Sequence, residues 1–143
     1  MGAVNFSIDL GLVAALKKVL PLDVFVETGT FRGDTVDLVK DIFREIHTVE
    51  LSPEYFEEAH SRFAGERHID VVHGDSAAVL AEWAPSLRER SVLYFLDAHW
   101  CVAANTAGEA SQCPLLGEIH AIGQLNADSL IVIDDARLFL APP

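Results

Sequence analysis

The sequence predicts an α/β fold in which helices cover a mostly parallel sheet of about five strands. Short apolar runs rich in β-branched and aromatic residues recur five times, and segments with apolar residues three and four positions apart separate them. The predicted strands are 24–27, 46–50, 69–73, 92–97 and 130–134. The predicted helices are 10–20, 34–43, 53–63, 76–83 and 114–123.

The length of 143 residues predicts a single domain. Residues 1–22 form an N-terminal helical segment in this interpretation, and residues 24–135 form the ligand-binding core. Half of the residues are hydrophobic, which is enough to build a packed interior and excludes a disordered acidic chain.

The charge balance restricts the partners. There are 22 acidic and 10 basic residues, so the net charge of −12 repels phosphate backbones and excludes nucleic acid as an expected partner. Two cysteines are too few for a disulfide framework, no secretory leader pattern is present, and no apolar run approaches the roughly 20 residues of a membrane span. We therefore expect a cytoplasmic protein with reduced thiols and no membrane contact.

The turn after the first predicted strand combines two glycines with the start of a helix. Ligands of open parallel sheets bind beyond the carboxyl ends of the strands. Residues 27–35 read E-T-G-T-F-R-G-D-T, so Gly29 would let a ligand approach the backbone and Gly33 would let the helix pack closely. A strand-to-helix turn with two glycines also occurs without a ligand, and both interpretations stay open.

Two further strand ends carry polar residues suited to a nucleoside. Glu50 follows Gly29 by 21 residues, the distance at which a carboxylate accepts hydrogen bonds from ribose hydroxyls. The alternative is a solvent-exposed glutamate at a strand end. After the third strand, Gly74 precedes Asp75, which could accept from an adenine amine, and Ser76, which would cap the next helix. Alternatively, Gly74 is a simple turn and Asp75 or Ser76 only an N-cap.

Three carboxylates follow the last two predicted strands. If those strands are neighbours, Asp97, Asp134 and Asp135 converge, and their repulsion requires a proton, a cation or a basic partner. Oxygen ligands of this kind suit Mg²⁺. The alternative is that one of Asp134 and Asp135 faces solvent while Arg137 neutralises the other.

The residues after Asp97 add a histidine and two thiols. His99 could act as a general base or could be a structural histidine that bonds to the backbone. A zinc site of His99, Cys101 and Cys113 has a spacing that matches no familiar closed site. The stretch 101–113 lacks apolar periodicity and is predicted as a loop over the site.

Taken together, these motifs resemble the class I S-adenosylmethionine-dependent methyltransferases. Residues 26–35 are similar to the first motif of that family, Val49 and Glu50 to its acidic second motif, and 74–76 to its third. The order and spacing match over nearly all of 24–135. The resemblance implies a Rossmann-like three-layer sandwich. It implies cofactor contacts from Glu27, Gly29, Thr30, Phe31, Gly33, Thr35, Glu50, Leu51, Gly74, Asp75, Ser76 and Asp97.

The segments 95–100 and 133–135 resemble the catechol O-methyltransferase branch, in which Mg²⁺ chelates the acceptor hydroxyl and lowers its pKa. This resemblance implies Asp97, Asp134 and Asp135 as metal ligands, with Asp97 also in catalysis. The chain departs from the pattern at Phe31, where the usual motif has glycine. It also has Cys101 where the branch has its lysine, so His99 is the expected base. The expected reaction is methylation of a hydroxyl on a small-molecule acceptor.

The family's sheet has seven strands with an antiparallel hairpin after the fifth, and the sequence predicts only five. An alternative is therefore a non-catalytic or incomplete cofactor-binding module that needs a partner or a missing C-terminal segment. The exposed sheet edge favours a homodimer. A nicotinamide-dependent oxidoreductase is disfavoured because the glycine turn lacks G-x-G-x-x-G and the carboxylate cluster has no use in that chemistry.

Overall fold

The computed structural model of the chain describes residues 7–97 and 114–134. Within these residues lie five strands, which are β1 (Val24–Thr28), β2 (Glu45–Glu50), β3 (Ile69–His73), β4 (Val92–Leu96) and β5 (Leu130–Ile133). The helices are α1 (Leu10–Val19), α2 (Asp34–Val39), α3 (Pro53–Arg62), α4 (Ser76–Leu87) and α5 (Leu115–Ile122).

All strand pairs in the sheet are parallel, in the order β3-β2-β1-β4-β5. β1 is central, and Val24 lies beside Glu45 of β2 on one side and Val92 of β4 on the other. The strand order reverses between β1 and β4, which is the position where open parallel sheets bind ligands. The α/β fold and the parallel sheet of five strands are confirmed.

Two apolar clusters cover the two faces of the sheet, because successive strand residues point to opposite faces. Phe25 belongs to the cluster under α1, α2 and α3, where its ring lies 5.3 Å from Phe43 and 6.4 Å from Phe95. Val24 and Val26 belong to the cluster under α4 and α5. The layers are therefore helix, sheet and helix, as the resemblance implied.

The helix α2 is shorter than its apolar period predicts. It ends at Val39 instead of Phe43, and the Phe43 side chain turns back into the core against Phe25. The Nζ atom of Lys17 fixes this turn by donating to the Ile42 carbonyl at 3.0 Å. The long-range packing of the Phe43 ring thus ends α2 earlier than the local apolar pattern predicts.

The helix α4 is longer than predicted, because it continues through Pro85 to Leu87. The buried Leu87 side chain joins the cluster under α4 and α5, and this packing offsets the hydrogen bond that a helical proline lacks. Among the described helices, none has the length and apolar character that a membrane crossing requires.

Gly33 joins the β1–α2 turn to α3 by direct packing. It has a φ of +82°, and a Cβ built on it would lie 2.5 Å from Cε2 of Phe63. The Phe63 ring is buried in the core under α1, α2 and α3, so it has little room to move away. Only glycine satisfies both the backbone conformation and the contact at this position.

We predict that Gly33→Ala lowers the free energy of unfolding by about 2–3 kcal/mol, because it combines a left-handed alanine with an overpacked contact. Urea denaturation measures the change. Gly65→Ala is the matched control, since its Cβ would have no atom within 4 Å. Equal stabilities of the two variants would contradict the packing argument.

Glu27 is a carboxyl group buried inside the central strand, with 1% of its surface exposed. The Thr48 hydroxyl donates to its Oε2 atom at 2.8 Å, and the Thr35 hydroxyl also bonds to it. Burial raises the Glu27 pKa from its ordinary 4.5 to about 8, and the nearby Glu50 charge adds to the rise against the lowering effect of the two hydroxyls. The side chain is therefore mostly neutral at pH 7.

This burial predicts a pH-dependent stability. Because the pKa of Glu27 is higher in the folded than in the unfolded protein, its protonation contributes to the free energy of unfolding. This contribution is fully present below about pH 4.5 and declines as the pH rises toward 8. The slope is roughly 1.4 kcal/mol per pH unit. Glu27→Gln keeps an acceptor for Thr48 and removes the titration, so its unfolding free energy should lack this decline in urea denaturation at several pH values. Parallel pH curves for the two proteins would refute the assignment.

Candidate functional site

The predicted site residues that the structure describes lie along one edge of the sheet, at the carboxyl ends of the strands. Backbone hydrogen bonds extend the sheet pattern just beyond the strands: the Gly29 N–H donates to the Val49 carbonyl at 2.9 Å, and the Gly74 N–H donates to the Glu50 carbonyl at 3.0 Å. On the other side of β1, the Asp97 N–H donates to the Thr28 carbonyl at 3.2 Å. The ends of four adjacent strands therefore present their loops together.

The turn of residues 29–33, here called the glycine loop, has three backbone positions with positive φ. Gly29 and Gly33 have φ values of +82°, and Phe31 between them has +51°. A left-handed conformation costs a residue with a side chain about 1–2 kcal/mol. Phe31 keeps it because its N–H donates to Oε2 of Glu50 at 2.7 Å. Its ring is 45% exposed and lies 4.3 Å from the ring of Tyr55.

Glu50 uses both carboxylate oxygens to hold backbone amides. Oε2 accepts from Phe31 and Oε1 accepts from the Ser52 N–H at 2.8 Å. With 9% of its surface exposed, Glu50 is buried, so the alternative of a solvent-exposed glutamate at a strand end is wrong. Each carboxylate oxygen has two lone pairs, and the capacity to accept two further hydrogen bonds remains.

A chain of hydroxyls lies beneath the glycine loop. The Thr48 hydroxyl proton goes to Glu27, so the Thr30 hydroxyl, 2.6 Å from Thr48, must donate to Thr48. On the helix side, the Ser7 hydroxyl donates to Thr35 at 3.2 Å. These bonds place Glu27, Thr30 and Thr35 in one buried polar network under the loop, rather than on its open side.

At the end of β3, Asp75 is the N-cap of α4. Its side chain accepts from the Ala78 N–H at 3.0 Å, while Ser76 is the buried first residue of the helix. The expectation that Ser76 caps this helix is wrong, because Asp75 has the extended backbone angles of an N-cap. Packing also explains why residue 74 is a glycine, since a Cβ there would lie 2.9 Å from Cγ2 of Val79. The adenine contacts of Asp75 and Ser76 stay predictions.

Leu51 lies next to Glu50 and exposes its side chain at the same edge. Its carbonyl accepts from Nε2 of His73 at 3.0 Å, which ties the loop after β2 to the end of β3. An exposed leucine beside a buried carboxylate provides an apolar surface next to polar acceptors.

Asp97 and Asp134 occupy neighbouring positions at the ends of β4 and β5. Leu96 pairs with Ile133, and the Asp134 N–H donates to the Leu96 carbonyl at 3.1 Å. Within 7–97 and 114–134, no group of three or more metal-binding side chains occurs. The third expected ligand, Asp135, lies outside the described residues, as do His99 and the stretch 101–113. The three-carboxylate site stays a prediction.

Sequence reasoning missed three residues that shape this edge: Thr48, Ser52 and Arg62. A signal existed for Thr48, because it lies two positions before Glu50 in β2 and therefore faces the same side of the sheet as Glu50. Ser52 contributes its backbone N–H, and a pattern of side chains gives no information about a backbone donor. Arg62 is one of many charged residues on an exposed helix, and its partners are distant in sequence.

No family model matches the sequence, and no curated protein matches it. Solved structures do share its fold. A caffeoyl-CoA O-methyltransferase-like protein from Staphylococcus aureus superimposes with a TM-score of 0.62 at 15% identity, over 95% of this chain and 66% of that one. For the precorrin 8W decarboxylase of Methanobacterium thermoautotrophicum the TM-score is 0.60 at 13% identity, over 91% and 65%.

A third structure is an S-adenosylmethionine-dependent methyltransferase from Thiobacillus denitrificans in complex with S-adenosyl-L-homocysteine. Its TM-score is 0.55 at 15% identity, over 92% of this chain and 50% of that one. The chain thus spans between half and about two thirds of the length of these three proteins. At such identities the likeness shows the fold alone, a Rossmann-like α/β fold that these S-adenosylmethionine-dependent methyltransferases share.

Proposed function

We propose that the chain binds S-adenosylmethionine at the edge formed by β1, β2 and β4 and transfers its methyl group to a hydroxyl of a small molecule. The observation that carries this proposal is the buried Glu50 carboxylate, which lies at the end of β2 and is bonded to the glycine loop. A ligand with two vicinal hydroxyls suits an acceptor in that position.

The residues at this edge fit the three parts of the cofactor. Glu50 retains two acceptor positions for ribose hydroxyls, and Gly29 offers a backbone without a side chain for the methionine end. Leu51 offers an apolar surface and Asp75 a carboxylate for the adenine. S-adenosylmethionine supplies an electrophilic methyl group on a sulfonium, and the acidic surroundings of this edge favour a cation.

For the acceptor, the proposal assigns Asp97, Asp134 and Asp135 as Mg²⁺ ligands and His99 as the base that takes the hydroxyl proton. The adjacent backbone positions of Asp97 and Asp134 at the ends of β4 and β5 support this assignment, since carboxylate oxygens are the ligands that Mg²⁺ prefers. A divalent ion there would lower the pKa of a chelated hydroxyl.

The coverage of the similar structures favours a second candidate, a cofactor-binding module that needs further sequence or a partner to methylate its substrate. Turnover by the isolated 143-residue chain, proportional to its concentration and unaffected by added partner, would exclude this candidate.

We predict that Glu50→Gln weakens S-adenosylhomocysteine binding by about 10- to 100-fold, because the amide NH₂ replaces a charged acceptor. Isothermal titration calorimetry measures the Kd, and circular dichroism checks that the variant is folded. Glu57→Gln, on the exposed surface of α3, is the matched control and should bind like the wild type. An unchanged Kd in Glu50→Gln would exclude the ribose assignment.

The metal assignment predicts that Mg²⁺ raises the Tm of the wild type and that Asp97→Asn and Asp134→Asn each reduce this rise. A thermal-shift matrix measures it by crossing S-adenosylmethionine, S-adenosylhomocysteine and NAD with and without Mg²⁺. Asp128→Asn, an exposed residue before β5, serves as the control. If Mg²⁺ shifts all four proteins equally, these aspartates do not hold it. Stabilisation by NAD alone would instead favour an oxidoreductase.

A further inference from the structure

The last residue of α3, Arg62, reaches across to the glycine loop. Its Nη1 atom donates to the Arg32 carbonyl and to Oδ1 of Asp34, both at 2.8 Å. Its Nη2 atom lies 3.2 Å from Oδ2 of Asp37. One guanidinium therefore connects the end of the glycine loop to the first turn of α2.

The loop needs such support at this end. Its last residue, Gly33, is the N-cap of α2 and has no side chain to bond the helix amides. The helix that follows has only six residues, so it is a weak anchor by itself. Glu50, at the end of β2, holds only the middle of the loop, by its bond to the Phe31 N–H. Arg62, at the end of α3, holds the next residue by its bond to the Arg32 carbonyl.

The same end of α3 touches the loop a second time. Phe63, the next residue, lies under Gly33, and the Arg62 guanidinium lies 5.5 Å from the centre of the Phe63 ring. The ring limits the orientation of the guanidinium. Arginine suits this position because its planar group has five donors in a fixed geometry, whereas lysine has one compact ammonium.

The contribution of Arg62 to global stability is expected to be small, since its side chain is 35% exposed and exposed ion pairs are weak. Its contribution to loop shape is specific, because the Arg32 carbonyl bond fixes a backbone atom within the loop. A loop already held in its binding conformation loses less entropy when a ligand binds.

We propose that Arg62 is a positioning residue for the cofactor: without touching it, Arg62 holds the glycine loop in the shape that receives the methionine end. This inference rests on the proposed function, because the ligand is the one proposed above.

The test compares Arg62→Gln, Arg62→Lys and the control Arg67→Gln, which changes an exposed arginine in the loop after α3. Calorimetry at a temperature where all variants are folded should give a Kd for S-adenosylhomocysteine about 3- to 10-fold higher in Arg62→Gln than in the wild type. Arg62→Lys should fall between them, and Arg67→Gln should match the wild type.

Hydrogen exchange on the ligand-free proteins gives a second measurement. In Arg62→Gln the Phe31 and Gly33 amides, which bond to Glu50 and to the Thr30 carbonyl, should exchange faster while the amides of β4 remain protected. If Arg62→Gln does not fold, the same two measurements on Arg62→Lys decide the question.

A wild-type Kd together with wild-type exchange in the Arg62 variants would overturn the inference and leave the proposed function intact. An equal rise of the Kd in Arg67→Gln would also overturn the inference, because the loss of any positive charge would then explain the effect. If the wild type itself binds no S-adenosylhomocysteine, the proposed function fails, and the positioning of a cofactor by Arg62 fails with it.

Discussion

The shape of the candidate site depends on one carboxylate that accepts two backbone amides. Glu50 ends β2, and the register that places Thr28 beside Val49 brings it next to the turn after β1. Its two oxygens then join Phe31 of one loop to Ser52 of the next. Charge-assisted bonds of this kind are stronger than neutral ones, which is enough to hold Phe31 in a left-handed conformation. Two loops that are distant in sequence thereby share a single anchor.

Support for the glycine loop comes from three directions, and each has a different physical character. The hydroxyls of Thr30 and Thr48 connect it downward to the neutral Glu27 inside the sheet. Glu50 holds its middle with a charge-assisted bond, and Arg62 holds its end from a helix. The loop is therefore organised before any ligand arrives, and the binding energy of a ligand need not be spent on ordering it.

Local pattern was sufficient to predict the strands, the alternation of helices and the edge where polar residues gather, because burial and periodicity are properties of short segments. It failed where distant groups decide the outcome. The packing of Phe43 on Phe25 ended α2 early, and the backbone angles of Asp75 made it the cap in place of Ser76. The Arg62 side chain donates to the backbone carbonyl of Arg32, 30 residues earlier in the chain, and no sequence spacing predicts such a bond.

The central position of β1 also has a consequence for folding kinetics. Its pairing with β2 brings Val24 to Glu45, whereas its pairing with β4 brings Val24 to Val92 and closes a much longer loop. Contacts between residues so far apart form slowly, because closing a long loop costs entropy before it gains energy. We therefore expect β1, β2 and β3 to pair before β4 and β5 join them, with the reversal of strand order as the boundary between the two steps. A ligand that bridges this boundary would contact both groups of strands, and we expect it to slow their separation during unfolding.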